Sequence, residues 1–454
     1  MEETKVSAQS KYLKPEREEK VFFFAAVVFF FTLFVLPQYF GIPFPLFDLT
    51  VLRIMIIIIV FMIIADNTRK RSFVKLIKES AYTKILVPYL LVLCYTMVLR
   101  ADINALLNPF IEILSFYLIT YIIKDVFGME RTVRYIIYFS YLLTILGVIE
   151  YLMGRSFFSY LETINGLYTG EFVRSGYYRI MGPCNHSLGY GLLLVTITPI
   201  SCINFKKNEI SFSQNFILLI LIAINVFLCG SRSTLSVFIL EIFLLILFSS
   251  KEQRKKFILI GMSGIMVFGV FLYLCRNTSV GQYILLQITT IIDEMFDTAW
   301  SVQFGANTTA LESSSNYRAQ LKYIFQLDWL NPILGIGRKR SFSAEINGSY
   351  IRSLDNFYIA EYIRYAYPGM ITYIIFILYF LVNIFKKWLH VNSGICKALF
   401  IGTVCYFVNL LWLDSLQTLK YVYVLFSLYC VLDADNVTKP YNENAEAASK
   451  YFRK

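Results

Sequence analysis

Residues 21–40 read VFFFAAVVFFFTLFVLPQYF, twenty residues without a single charge. A run of about 20 mostly apolar residues is what a helix needs to cross the roughly 30 Å hydrocarbon core of a bilayer. The run carries no polar stripe at helical spacing, so it does not read as the amphipathic surface helix of a soluble domain. No small-residue cleavage site follows it, and residues 38–45 read as a tight turn, so it is not expected to be a removable leader. Eleven blocks of the same kind follow: Leu49–Ile64, Ile85–Leu99, Ala105–Phe127, Tyr135–Met153, Leu188–Ile203, Phe216–Cys229, Leu235–Phe248, Phe257–Cys275, Tyr367–Phe385, Ala398–Leu413 and Leu416–Leu432. They are too long for barrel strands of about 10 residues and lack the alternation of such strands. Backbone groups in lipid must be paired internally, which leaves helices. The expectation is an all-α polytopic membrane protein of about twelve transmembrane helices.

The composition agrees. Of 454 residues, 57% are hydrophobic and 16% charged, against roughly 25% charged in soluble domains; the mean hydropathy is +0.59. Charge also predicts orientation. With a cytoplasmic amino terminus, the inside segments (1–20, 66–84, 124–134, 204–215, 249–256, 386–397, 433–454) hold 27 Lys and Arg, and the short outside loops (41–48, 100–104, 154–187, 230–234, 414–415) hold 5. Basic residues collect on the cytoplasmic side of membrane proteins. Basic loops facing anionic lipid account for the net charge of +11, so no nucleic-acid partner is implied. The eight cysteines form no CxxC pair. Cys94, Cys202, Cys229, Cys405 and Cys430 fall inside apolar blocks and read as small hydrophobes; Cys184 and Cys275 fall near the outer face, where a disulfide is open to them.

Five regions result: a cytoplasmic segment 1–20; spans one to nine over 21–275, with an outer loop at 154–187; an extracytoplasmic loop at 276–366 between spans nine and ten; spans ten to twelve over 367–432; and a polar cytoplasmic tail at 433–454. The 276–366 loop balances eight Lys and Arg against eight Asp and Glu. Tyr283–Phe296 and Tyr317–Leu330 have helical apolar spacing, and Asn331-Pro332 and Gly335-Ile336-Gly337 break the chain. A small helical cap is expected there, and a loop of that length is usually functional. No internal repeat marks an inverted-repeat transporter.

Four outer-face elements can carry chemistry. Gly230-Ser231-Arg232-Ser233-Thr234 places an arginine in a five-residue turn between two apolar blocks. It reads either as an anion-binding arginine or as an interfacial snorkelling one. Arg318 is a charge on an amphipathic helix or a ligand group, and the glycines 335 and 337 suit a turn that lets backbone approach a ligand. Asp355 and Asn356 precede the tenth block, where one of them caps a helix or Asp355 aims a carboxylate into a cavity. Arg179 and Gly182 precede His186 at the mouth of the sixth block; the outer loop carries Arg155 and Arg174 as well. Within the blocks, Glu112, Glu150 and Glu241 lack an obvious cationic partner. Tyr350 and Tyr358 suit either stacking on sugar rings or interfacial anchoring.

These elements, in this order, resemble those of the O-antigen polymerase and O-antigen ligase superfamily of bacterial envelopes, over roughly residues 130–430. The resemblance rests on Arg179 with Gly182 before a span, on the turn Gly230–Ser233, and on Arg318 ahead of Pro332–Gly337. It rests also on Asp355-Asn356 before a helix start in which Ala366 replaces the first glycine of a Gly-x-x-Gly pair and Gly369 supplies the second. The ligases carry histidine at the place of Asp355, so the resemblance points to a Wzy-type polysaccharide polymerase. It implies a class C glycosyltransferase-like fold with the site on the extracytoplasmic face of the bacterial cytoplasmic membrane. The donor would be a glycan on polyprenyl diphosphate and the acceptor a sugar hydroxyl of another lipid-linked oligosaccharide repeat unit. Arg232 and Arg318 would neutralise the leaving diphosphate and Asp355 would take the acceptor proton, with inversion; Arg179, Asn356, Gly335, Gly337 and Tyr358 would bind substrate. No cofactor is implied. Asp293, Glu294 and Asp297 are the one group with the chemistry to hold a divalent ion, and surface carboxylates are the plainer reading, so a metal-independent reaction is expected. Membrane lipid, and the flippase and chain-length regulator proteins of such a pathway, are the implied partners. A ligase with another acceptor and a flippase without chemistry are the alternatives.

Overall fold

The structure is a computed structural model that describes residues 3–44, 47–174, 176–296, 298–306 and 317–432. Asp297 and the tail 433–454 lie outside the described residues, as do the side chains of Arg174 and Glu294. Fourteen helices longer than two turns are present among the described residues: α1 Glu3–Phe34, α2 Val51–Ala65, α3 Asn67–Glu79, α4 Ala81–Arg100, α5 Ile103–Ile122, α6 Met129–Met153, α7 Ser187–Ser201, α8 Phe216–Leu228, α9 Arg232–Phe248, α10 Lys251–Cys275, α11 Ser279–Phe296, α12 Phe357–Val391, α13 Gly394–Asn409 and α14 Leu419–Val431. Every apolar block overlaps a helix, as internal backbone pairing in lipid demands.

Among the described residues, fewer helices than apolar blocks are long and apolar enough to cross a membrane by themselves. Five of the described helices are long and apolar enough to cross a membrane, or six if the bent pair α2–α3 is one span. Four apolar helices are shorter: α7, α8, α13 and α14, of 15, 13, 16 and 13 residues. At 1.5 Å per residue the shortest cover about 20 Å. α7 and α14 are enclosed almost completely by other helices, so neither has to match the thickness of lipid. On the outer surface of the bundle, Phe24, Phe61, Leu91, Leu152 and Met266 are all more than 60% exposed. Such a belt of bare apolar side chains is what a membrane protein turns toward lipid.

The inner helices pack as α12 on α4, α14 on α5, and α13 on both α7 and α9. Their shared core is aromatic: the rings of Phe380 and Phe426 stack at 3.7 Å, and Tyr82 lies 4.3 Å from Phe380. The connections meet at two ends. At the basic end, Ser72 donates to Asp125, Ser393 to Asn208, and Ser250 to Glu209. α3 turns 111° away from α2 there, with the Asp66 side chain capping it through the N–H groups of Thr68 and Arg69. At the other end, Thr163 donates to Gly41, Arg100 to Gly335, and Asn356 to Leu411.

The long loop is less helical than expected. Its first predicted helix is the carboxyl part of α11. Of the second, the described residues keep α-helix only over 317–320, followed by a 3-10 turn Leu321–Gln326. A hairpin, Ala344–Ile346 paired with Ser349–Ile351, was not foreseen. Leu321, Ile324, Phe342, Ile346 and Ile351 close on Ile359, Tyr362 and Ile363 of α12 and form a second, separate apolar core. That core fastens the loop to the start of α12. Cys184 is buried and Cys275 half-buried, and both are free thiols, so the disulfide is absent.

Candidate functional site

The α8–α9 turn is built by its sequence. Gly230 has φ +58°, and a Cβ there would lie 3.1 Å from both Arg179 and the Tyr283 hydroxyl; only glycine combines that backbone with that crowding. Ser231 caps α9, its Oγ accepting the Thr234 N–H at 3.3 Å. Arg232 therefore opens the first turn of α9, beside the unpaired N–H groups at the positive end of the helix.

The second element is a turn held from below. The Glu150 carboxylate, fully buried on α6, accepts the N–H of Met181 at 2.8 Å, the N–H of Gly182 at 3.0 Å and the Tyr178 hydroxyl at 2.9 Å. These three donors answer what an unpaired carboxylate does in this span, and they fix the residues on either side of Arg179. Arg179 donates from Nε to the Cys229 carbonyl at 2.7 Å, and its guanidinium lies 5.0 Å from the Phe172 ring centre. His186 caps α7, accepting the Leu188 N–H on Nδ1 at 3.1 Å.

Burial, and then the Arg179 charge, push the His186 imidazole down to about 4. The fold therefore favours neutral histidine. Its contribution is present above the ordinary histidine value near 6.5 and is lost as pH falls through 4. We expect wild-type protein to lose on the order of 2–3 kcal/mol more than His186→Gln between pH 7 and pH 4. Apparent melting temperatures of the two proteins in detergent, measured across that range, check this.

The third element joins two parts of the long loop. Arg318 approaches Asp355, Nε to Oδ2, at 4.0 Å. Ser353 Oγ donates to Asp355 Oδ1 at 2.9 Å. The cap of α12 is Asn356: its Oδ1 accepts the Ile359 N–H at 3.0 Å, and its Nδ2 donates to the Leu411 carbonyl at 2.9 Å. Of the two residues that could have capped the helix, the neighbour of Asp355 does so, and Asp355 is left to face the cavity. Asn356→Ala is expected to lower stability by about 1 kcal/mol, the usual worth of such a cap, read as a lowered unfolding midpoint.

All of these converge. A cavity of about 770 Å³ is lined by Phe172, Val173, Arg179, His186, Leu188, Ser231, Arg232, Ser233, Ser236, Val237, Leu240, Ile291, Arg318, Asp355, Val408 and Trp412. Three arginines and one carboxylate share it. Residues at the amino-terminal ends of three helices, α7, α9 and α12, line it too. Arg232, Ser236 and Leu240 run down one face of α9, from a charged end to an apolar one. Oriented N–H groups and guanidinium ions make such a site suited to an anion.

Other expected residues lie elsewhere. Gly335 and Gly337 do not line the cavity. Ile336 and Gly337 donate from their N–H groups to the carbonyls of Ile363 and Arg364 at 2.9 and 3.1 Å, and a Cβ on Gly335 would collide with the 364–365 backbone. Their close approach is to the protein's own chain, not to a ligand. Asp102 Oδ2 accepts the N–H groups of Arg338 and Lys339 beside them. Tyr358 donates to the Phe407 carbonyl at 3.0 Å, and Tyr350 is an exposed hairpin residue stacked under Arg352. The aromatic side chains that do line the cavity are Phe172 and Trp412. Phe172 did not stand out among 41 Phe, and Trp412, one of four Trp, lies at the end of an apolar block; the serine one turn after Arg232 was the available signal for Ser236.

Glu361 is buried in an ion network away from the cavity. It pairs with Arg338 and Arg364 at 3.4 Å each and accepts the Tyr89 hydroxyl; Arg364 also pairs with Asp414. Glu241 is fully buried, and neither of its oxygens has a hydrogen-bond partner among the described residues. Desolvation pushes the Asp293 carboxyl up, but hydrogen bonds from Ser301, Thr298 and the Trp300 N–H outweigh it and hold the group at about 2. Its oxygens are engaged in closing the end of α11. Among the described residues no group of three His, Cys, Asp or Glu side chains could hold a metal ion. Compared with known proteins, the chain matches no family model and no curated protein.

Proposed function

We propose that the chain is a membrane glycosyltransferase that polymerises lipid-linked oligosaccharide repeat units of a bacterial capsule, O-antigen or exopolysaccharide. It would act on the extracytoplasmic face of the cytoplasmic membrane, with its twelve apolar blocks arranged across or within the bilayer. The observation that carries the reading is the gathering of Arg179, Arg232 and Arg318 with Asp355 in one cavity whose lining also includes Val237, Leu240, Ile291 and Val408. A polyprenyl diphosphate has the same polarity, a doubly phosphorylated head on a hydrocarbon tail.

The chemistry follows from that placement. A hydroxyl of the acceptor repeat unit attacks the anomeric carbon of the donor sugar. The bond from that carbon to the diphosphate oxygen breaks, and the electron pair leaves with the polyprenyl diphosphate. Arg232 and Arg318 stabilise the charge that grows on the departing oxygens. The acceptor proton passes to Asp355, and the anomeric configuration inverts. Because the hydroxyl acidifies late in an oxocarbenium-like transition state, a carboxylate suffices as the base.

Purified protein reconstituted with two lipid-linked repeat units tests the reading. Longer glycans on polyprenyl diphosphate support it. Transfer only to a different acceptor makes the protein a ligase, and movement of the lipid across the bilayer without lengthening makes it a flippase. With guanidinium groups in the place a divalent ion would take, excess chelator is expected to leave chain lengthening within about twofold of the untreated rate. Loss on chelation with recovery on adding magnesium or manganese would move the role of the arginines to a metal.

A further inference from the structure

Arg318 and Asp355 are far apart in the chain, and each sits beside a residue that ties the two limbs together. The Tyr317 hydroxyl donates to the Ser353 carbonyl at 2.5 Å and accepts the Ser353 N–H at 2.8 Å. The Ser353 side chain then donates to Asp355 Oδ1 at 2.9 Å, leaving Oδ2 toward Arg318. We propose that Tyr317 and Ser353 are positioning residues, a clasp that sets the distance and rotation of Asp355 relative to Arg318. The inference rests on the polymerase reading above.

The clasp supplies what its surroundings do not. Residues 352–356 form no helix or strand between the hairpin and the start of α12. An aspartate in such a stretch has several staggered side-chain rotamers open to it. Here one oxygen is fixed by the Ser353 hydroxyl, while the backbone of Ser353 is itself gripped at both its N–H and its carbonyl by one phenol. The phenol is anchored in turn: the Tyr317 ring packs against the small apolar core of the loop. A base and a cation held at fixed separation need no reorganisation when the transition state forms, and a misplacement of about 1 Å costs roughly 10²-fold in rate.

Tyr317→Phe, Ser353→Ala and Ser353→Thr in the full-length protein, reconstituted with two lipid-linked repeat units, test this. Tyr317→Phe keeps the packed ring and loses the hydroxyl. It and Ser353→Ala are expected to lower kcat about 10- to 100-fold, with the donor KM within about twofold for Ser353→Ala, since it removes no contact of Arg179 or Arg232. Ser353→Thr keeps the hydroxyl and is expected to stay near the wild-type rate. In an Asp355→Asn background neither Tyr317→Phe nor Ser353→Ala should lower the residual rate further, because there is no base left to position. A structural role alone would lower the rate in both backgrounds. Wild-type rates for Tyr317→Phe and Ser353→Ala, or equal losses with and without Asp355, overturn the clasp and leave the polymerase reading standing. A wild type that lengthens no glycan overturns that reading, and the clasp with it.

Discussion

Asp355→Asn is expected to lengthen glycans about 10²–10⁴ times more slowly than the wild type, the usual effect of losing a general base, and to fold as well. Both halves of that expectation come from the arrangement around α12. The helix is capped by Asn356, not by Asp355, so the substitution leaves the cap in place. Asparagine still accepts from the Ser353 hydroxyl, as Asp355 Oδ1 does at 2.9 Å. What it cannot do is take the acceptor proton. Asp355→His is expected to recover part of the activity, since imidazole can accept a proton from the same wall of the cavity. Rates from reconstituted protein, with unfolding midpoints measured beside them, separate the outcomes. A fully active Asp355→Asn would remove the base from this position. The search would then turn to His186, which lines the same cavity, and not to Glu361, whose carboxylate is committed to Arg338, Arg364 and Tyr89.

Arg232→Lys is expected to lose about 10²–10³ in kcat, the scale on which a single anion-stabilising donor contributes. Lysine keeps the charge but not the planar fork that grips two phosphate oxygens at once. The position magnifies the difference. Arg232 stands in the first turn of α9 behind the cap of Ser231, so its direction is set by the helix. The crowded turn at Gly230 fixes that helix start against Arg179. Arg232→Ala should fall further, because α9 then offers a bound anion only its positive helix terminus. Polymerisation by both variants at the wild-type rate would show that no diphosphate is held here.

The sequence alone determined that the apolar blocks of this chain make helices. Helix formation by apolar blocks in lipid is a local necessity, because each N–H group must find its partner four residues away. The expectation of which connections share a side was legible in the distribution of Lys and Arg, since charge is kept on one side of a membrane block by block. The Gly230–Ser233 turn was equally local: glycine for the backbone, serine for the cap and arginine one residue on.

Tertiary structure alone decided the rest. Length at the level of blocks did not reveal that α7 and α14 are enclosed by protein, nor that the described helices long and apolar enough to cross a membrane are fewer than the apolar blocks. Composition marked Gly335 and Gly337 as places of close approach, but only the fold shows the approaching group to be the 363–365 backbone and Asp102. Spacing allowed either Asp355 or Asn356 to cap a helix, and the choice fell to Asn356, whose amide also reaches the Leu411 carbonyl on a different segment. The meeting of Arg179, Arg232, Arg318 and Asp355 belongs to the same class. A local pattern fixes which way a side chain leaves its own helix; which side chains it then meets depends on contacts between distant segments, such as the Tyr317–Ser353 pair, that no periodicity records.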